Sequence, residues 1–84
     1  MVTVEIYSKA DCHLCEVAKE VIKNIQQRHT FELKEIFIHE GDEHYNRFKE
    51  RIPVVYINNK YAFQYNIPEQ EFISLITKAS TANE

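Results

Sequence analysis

The 84-residue sequence predicts one α/β domain in which a mixed four-stranded sheet carries helices on its faces. Three observations support this class. Apolar residues alternate near the N-terminus, they recur at helical spacing in the next segment, and two asparagines separate two short apolar runs near the C-terminus. The expected order is β-α-β-(short α)-β-β-α, with the domain at residues 1–79 and a flexible tail at residues 80–84.

The first strand and the first helix have the clearest patterns. Val2, Val4 and Ile6 alternate with polar residues, which is typical of a strand. Asp11 is the expected cap of the helix that follows. Apolar residues then follow the three–four spacing of an amphipathic helix at Leu14, Val17, Ala18, Val21, Ile22 and Ile25.

The second strand is predicted at residues 31–39. Its last part is a continuous apolar run, residues 36–38, which favours a strand buried on both faces and therefore central in the sheet. Asp42 is a suitable N-cap for a short helix. That helix ends before Pro53, because proline disfavours its continuation.

A hairpin and a helix complete the chain. Strands are predicted at residues 54–57 and 61–65, and Asn58-Asn59 suit the left-handed angles of a tight turn between them. The last helix is expected to begin around Pro68. Its inward face comprises Phe72, Ile73, Ile76 and Ala79, with Leu75 at the margin.

Composition excludes several classes of function. A hydrophobic content of 44% is that of a globular protein, and a formal charge of −3 gives no electrostatic basis for binding nucleic acid or an anionic membrane. The single glycine excludes a glycine-rich phosphate loop. No apolar stretch approaches the roughly 18 residues of a membrane span, and the N-terminus reads as a strand, not as a signal peptide. We expect a monomer in the cytoplasm.

The only two cysteines, Cys12 and Cys15, form a C-x-x-C motif between the first strand and the first helix. In a reducing compartment such a pair is catalytic or metal-binding more often than structural. A thiolate is stabilised at a helix N-terminus, so Cys12 is the predicted nucleophile, and Lys9 and His13 are candidates to add positive charge. Cys15, one turn inside the helix, is the predicted resolving thiol.

Three segments resemble the glutaredoxin-like family of the thioredoxin fold. They are Tyr7-Ser8-Lys9-Ala10-Asp11-Cys12-His13-Leu14-Cys15, Arg51-Ile52-Pro53-Val54-Val55 and Tyr56-Ile57-Asn58-Asn59-Lys60. Together they are similar to the small group whose motif reads cysteine–x–leucine–cysteine. The resemblance implies a thiol–disulfide oxidoreductase that exchanges dithiols through Cys12 and Cys15 in cell redox homeostasis and electron transport. It also implies that Pro53 is cis and close to Cys12.

The resemblance further implies a substrate site beside Pro53. Ile52 would offer free backbone groups to a substrate segment that pairs as an added strand. Arg51 is a candidate contact for an anionic substrate, and a solvated cation at a helix end is an equal alternative. The implied partners are protein or small-molecule disulfides and a recycling reductant, either thioredoxin reductase or glutathione.

The sequence departs from typical glutaredoxins after the hairpin. Where they have two glycines and then an acidic residue to hold glutathione, this chain has Phe63-Gln64 and Asn66. The bulky side chains close the space that glycine leaves open. We therefore expect no cofactor, weak use of glutathione as co-substrate, and a docking surface for proteins formed where Phe63 and Tyr65 partly cover the site.

The alternative is a binding module, or a metal or iron–sulfur carrier, that keeps the motif without turnover. The histidines that two thiols could join in a zinc site are His13, His29, His39 and His44. They fall on three different elements, and no second pair has ligand spacing, so a metal site within one chain is not expected. A zinc ion or cluster shared by two chains through Cys12 stays open.

Overall fold

The computed structural model describes residues 1–82, and the side chains of all of these except residues 44, 81 and 82. The strands are β1 (Thr3–Ser8), β2 (Glu32–Phe37), β3 (Val54–Ile57) and β4 (Lys60–Gln64). The helices are α1 (His13–Gln26), α2 (Glu43–Phe48) and α3 (Glu69–Ala82). This confirms the predicted α/β class and order of elements.

The four strands form one mixed sheet in the order β2-β1-β3-β4. Strand β1 pairs parallel with β2 and antiparallel with β3, and β3 pairs antiparallel with β4. Because parallel strands need a crossover connection, α1 runs back along the sheet between β1 and β2. Because β3 runs antiparallel to β1, the carboxyl end of β1 lies beside the amino end of β3, and the loop after β1 leads to both cysteines.

The prediction that the second strand is central and buried on both faces is wrong. Strand β2 is an edge strand, and the side chain of Phe37 is 49% exposed. The Lys19 ammonium lies 4.3 Å from the centre of the Phe37 ring and 3.5 Å from a Glu35 carboxylate oxygen, so a cation from α1 lies over the partly exposed ring. Ile38 follows the strand and is buried, which shows that the apolar run serves two different environments.

The main hydrophobic core lies between the sheet and helices α1 and α3. Its fully buried members include Val4, Ile6, Ala18, Ile22, Ile25, Val55 and Phe72. On α3, Phe72 and Ile76 are buried and Ile73 and Ala79 are partly buried, as the predicted inward face requires.

Helix α1 turns a narrower face to this core than its apolar residues predict. The buried residues are Cys15, Ala18, Ile22 and Ile25, whereas Leu14 is 50% and Val17 is 43% exposed. Cys15 takes the inward position of the first turn, and this places Leu14 and Val17 to one side of the buried stripe. Leu14 and Val17, which the spacing assigns to the apolar face of the helix, are therefore not core residues.

A smaller cluster fills the end of the molecule where β1 and α1 meet. It contains Cys15, Ile38, Phe48, Ile52 and Val54. Tyr7, Cys12, Tyr45 and Tyr56 are partly buried against it. Cys15 is thus a member of this second cluster, and Cys12 packs against it.

The turn between β3 and β4 has the predicted left-handed conformation. The φ angles of Asn58 and Asn59 are 49° and 67°. The Asn58 side-chain oxygen accepts a hydrogen bond of 2.9 Å from the Thr3 main-chain nitrogen, which ties the turn to the start of β1. Asp42 is the N-cap of α2, although its carboxylate accepts from the His39 N–H (3.0 Å) and not from the helix.

Helix α3 includes residues 80–82 of the predicted flexible tail, and residues 83 and 84 lie outside the described part of the chain. The flexibility of the tail stays a prediction. Strand β4 ends at Gln64, one residue earlier than predicted, because Tyr65 has a left-handed φ of 71°. None of the helices within residues 1–82 is long and apolar enough to cross a membrane.

Candidate active site

Cys12 and Cys15 are joined by a disulfide at the N-terminus of α1, with their Cα atoms 5.2 Å apart. Cys12 is itself the N-cap, and its sulfur accepts a hydrogen bond of 3.2 Å from the Cys15 main-chain N–H. Asp11, the predicted cap, precedes the cap position and has a left-handed φ of 58°, which aspartate tolerates. The sulfur of Cys12 thus accepts a hydrogen bond from one of the first N–H groups of the helix, which have no partner within the helix.

The two cysteines differ in their access to solvent. Cys15 is 1% exposed and belongs to the second cluster, whereas Cys12 is only partly buried against it. A sulfur that is reachable at the cap and one that is shielded a turn deeper suit an attacking and a resolving thiol, respectively.

The Ile52–Pro53 peptide bond lies beside the cysteines and is cis, as the resemblance implied. Ile52 is a buried member of the second cluster together with Cys15. Within residues 1–82, neither the N–H nor the C=O of Ile52 has a hydrogen-bond partner. The Pro53 carbonyl accepts from the Tyr65 N–H at 2.9 Å, so β4 continues alongside this segment.

Arg51 is exposed, and its Nε donates a hydrogen bond of 3.2 Å to the side-chain oxygen of Gln64. The Tyr65 hydroxyl donates one of 3.0 Å to the Glu50 carbonyl. Sequence reasoning did not find these ties, because the partners are 13 and 15 residues apart and meet only through the pairing of β3 with β4. These two hydrogen bonds connect the segment that follows α2 to the end of β4.

The expectation that Phe63 covers the site is wrong. Its ring stacks on Phe72 with the ring centres 6.2 Å apart, so it is part of the main core. Tyr65 is the residue that stays 45% exposed beside the cis peptide segment.

Lys9 and His13 are both exposed residues of the cysteine loop and the first turn of α1. In the part of the chain that is described, no hydrogen bond or ion pair joins either side chain to a cysteine. Their contribution of positive charge to the site stays a prediction.

Comparison with known proteins identifies the family. Residues 3–79 match the family model described as Glutaredoxin-like domain (DUF836). The chain belongs to this family.

Solved structures agree with the thioredoxin fold. The glutaredoxin-like chain is similar to protein Ne2328 of Nitrosomonas europaea, with 28% identity, a TM-score of 0.74, and 88% of this chain and 89% of that one covered. Target protein XcR50 of X. campestris is similar at 20% identity and a TM-score of 0.72, with 89% of this chain and 96% of that one covered. Thioredoxin-2 of the malaria parasite, a component of its protein secretion machinery, shares the fold at 15% identity and a TM-score of 0.71, with 93% and 82% covered.

Ser8, the last residue of β1, is a buried polar residue that sequence reasoning did not single out. It is fully buried, and its hydroxyl has no hydrogen-bond partner within the described residues. The phase of the strand was the available signal, since Ser8 continues the alternation of Val4 and Ile6 on the core-facing side of β1.

A resident metal site does not emerge from the side chains that the structure describes. Among them, no three histidine, cysteine, aspartate or glutamate side chains come together to hold an ion. The side chain of His44 lies outside this set. A metal or cluster shared by two chains stays an untested alternative.

Proposed function

We propose that this glutaredoxin-like protein is a thiol–disulfide oxidoreductase that works through Cys12 and Cys15. One observation carries the proposal above all others: the partly accessible sulfur of Cys12 caps α1 and accepts the Cys15 N–H, while Cys15 is shielded and joined to it in a disulfide. A helix N-terminus favours the thiolate over the thiol, and the thiolate is the attacking species. Reversible dithiol chemistry is what this arrangement favours.

The exchange runs in two steps that balance in electrons. In the reduced protein, the Cys12 thiolate attacks one sulfur of a substrate disulfide, and the other sulfur leaves as a thiolate that takes a proton from solvent. The Cys15 thiol then loses its proton and attacks the Cys12 sulfur of the mixed disulfide, which releases the second substrate thiol. The pair gives up two electrons and becomes the Cys12–Cys15 disulfide, and a recycling reductant returns them.

The substrate segment is proposed to lie against Ile52. Its free N–H and C=O beside the cis bond are suited to pair with an extended chain, and this supports main-chain recognition next to the reacting sulfurs. Arg51, whose Nε donates a hydrogen bond to the Gln64 side chain, is the proposed contact for an anionic group of that substrate.

The proposed substrates are protein disulfides more than glutathione mixed disulfides. The main-chain N–H groups that would receive glutathione after the hairpin are used within the chain: Tyr65 donates to the Pro53 carbonyl and Asn66 to the Gln64 carbonyl, each at 2.9 Å. Two apolar side chains, Leu14 and Val17, instead lie half exposed on the helix that carries the cysteines. Such a surface favours an apolar partner surface over a small polar peptide.

Thioredoxin reductase is then the proposed recycling reductant, and we propose a cytoplasmic monomer as the working form. A reducing compartment keeps the pair available as a dithiol. Supplying the protein with this reductase or with glutathione, in separate reactions, identifies which of them supports turnover.

Insulin reduction by wild type, Cys12→Ser and Cys15→Ser tests the proposal. Wild type should reduce insulin, Cys12→Ser should be inactive because the nucleophile is gone, and Cys15→Ser should accumulate a mixed disulfide at Cys12 that mass spectrometry detects. Activity that survives in Cys12→Ser, or that wild type also lacks, contradicts the proposal and favours a binding module.

A further inference from the structure

The buried hydroxyl of Ser8 is a polar group that the fold does not use. Ser8 is 0% exposed, and within residues 1–82 its Oγ neither donates nor accepts a hydrogen bond. Its main-chain carbonyl is occupied, since it accepts from the Ile38 N–H at 2.7 Å. Leaving a buried hydroxyl without a partner is unfavourable, so a group that forms a hydrogen bond in another state of the protein would account for it.

The directions of β1 and α1 indicate that Ser8 and the deeper cysteine are at the same end of the sheet. Val4 and Ile6 belong to the main core together with the buried residues of α1, and strand alternation puts Ser8 on the same face of the sheet. Because α1 runs back along β1, its first inward residue, Cys15, is at the level of the last residue of the strand. Cys15 is 1% exposed and belongs to the second cluster, so both side chains are shielded from water near the point where the chain passes from β1 to α1.

The redox state of Cys15 decides whether its sulfur can serve as this partner. In the disulfide, the sulfur is fixed towards Cys12 and accepts no hydrogen bond from Ser8. Reduction replaces the S–S bond with two thiols, and the Cys15 sulfur is then free to rotate about its Cα–Cβ bond. As a thiolate it is also a far better acceptor than a disulfide sulfur.

We propose that Ser8 is a positioning residue for the exchange, whose hydroxyl donates a hydrogen bond to the Cys15 sulfur in the dithiol form and releases it when the disulfide closes. This inference rests on the proposed dithiol exchange and deepens it. The hydrogen bond stabilises the reduced pair, so it makes the protein a weaker reductant. It also holds the Cys15 thiolate ready to attack the mixed disulfide at Cys12.

The reduction potential of the Cys12–Cys15 pair tests the proposal in wild type, Ser8→Ala and Ser8→Thr. Removing the hydroxyl should shift the equilibrium towards the disulfide by about tenfold, which is about 30 mV more negative for a two-electron couple. Ser8→Thr keeps a hydroxyl and should restore the wild-type potential. If Ser8 acts through packing alone, Ser8→Ala and Ser8→Thr should have the same reduction potential.

A second measurement keeps the test decisive if threonine does not fit. In the Cys12→Ser background, Cys15 is the only thiol, and ultraviolet absorbance of the thiolate against pH reports its pKa. Adding Ser8→Ala should raise the pKa of Cys15, because the donor to its thiolate is lost.

An unchanged potential in Ser8→Ala, together with an unchanged pKa of Cys15, overturns the inference. The two proposals also fail separately. If wild type forms no reversible disulfide, the proposed function fails, whereas a reversible wild-type couple with no effect of Ser8→Ala removes only the role of Ser8.

Discussion

Replacing Leu14 and Val17 with serine should separate protein substrates from small ones. Both side chains are on the helix that begins at the active site, and they are 50% and 43% exposed, although their spacing is that of core residues. A docked protein would cover the apolar surface that the fold leaves open. A small disulfide would reach Cys12 without covering it.

The expected size of the effect follows from the exposed fractions. Fully burying a leucine or valine side chain is worth about 1.5–3 kcal/mol, so covering the half that remains exposed is worth about 1 kcal/mol for each residue. Removing both should therefore cost about 2 kcal/mol of binding, which is about 30-fold in kcat/KM for a protein disulfide. Because partial coverage lowers this value, it is an upper estimate.

Steady-state assays with insulin and with hydroxyethyl disulfide measure the two substrate classes. Leu14→Ser combined with Val17→Ser should lower kcat/KM for insulin and leave kcat/KM for the small disulfide near its wild-type value. Leu75→Ser is the matched control, since Leu75 is 37% exposed on α3 and not on the helix of the cysteines. Equal losses with both substrates, or an equal loss in the control, would refute a docking role for Leu14 and Val17.

Two further predictions concern stability. Asn58→Ala should lower the free energy of unfolding by about 2 kcal/mol, because the Thr3 N–H loses its acceptor and alanine is strained at the left-handed φ of 49°. Asn58→Gly lacks that strain and should lower the free energy of unfolding by about half as much. Urea unfolding measures both changes. Burial, followed by the charge of Glu5, raises the pKa of Tyr7 above its ordinary value of 10.0, so stability should be retained below pH 10.0 and fall as pH rises through the raised pKa. Alkaline unfolding curves should be less steep in Tyr7→Phe, and identical curves would contradict the assignment to Tyr7.

The order of elements was predictable because each element has a local signal. The alternation of Val4 and Ile6, the helical spacing along α1 and the left-handed turn at Asn58-Asn59 are properties of neighbouring residues, and the structure has all three. The position of β2 in the sheet was not predictable in this way. A run of apolar residues is the same for a central strand and for an edge strand whose Phe37 is covered by Lys19.

The same distinction between local and long-range signals applies to the site. The C-x-x-C motif at the start of a helix is local, and the proline after Ile52 could be read by resemblance. The ties of Arg51 to Gln64 and of Tyr65 to Glu50 depend on how β4 returns beside the cis segment. Short-range patterns contain no information on such contacts, and this explains why Phe63 was assigned to the site although its ring belongs to the core.

The reduction potential of the Cys12–Cys15 pair tests the central claim most directly. A reversible two-electron couple between about −270 and −200 mV, the range of thioredoxins and glutaredoxins, is the expected result when the protein equilibrates with defined thiol–disulfide buffers. A pair that stays oxidised below about −300 mV would be a structural disulfide. That result, or a pair that never re-forms after reduction, would contradict dithiol exchange at this site.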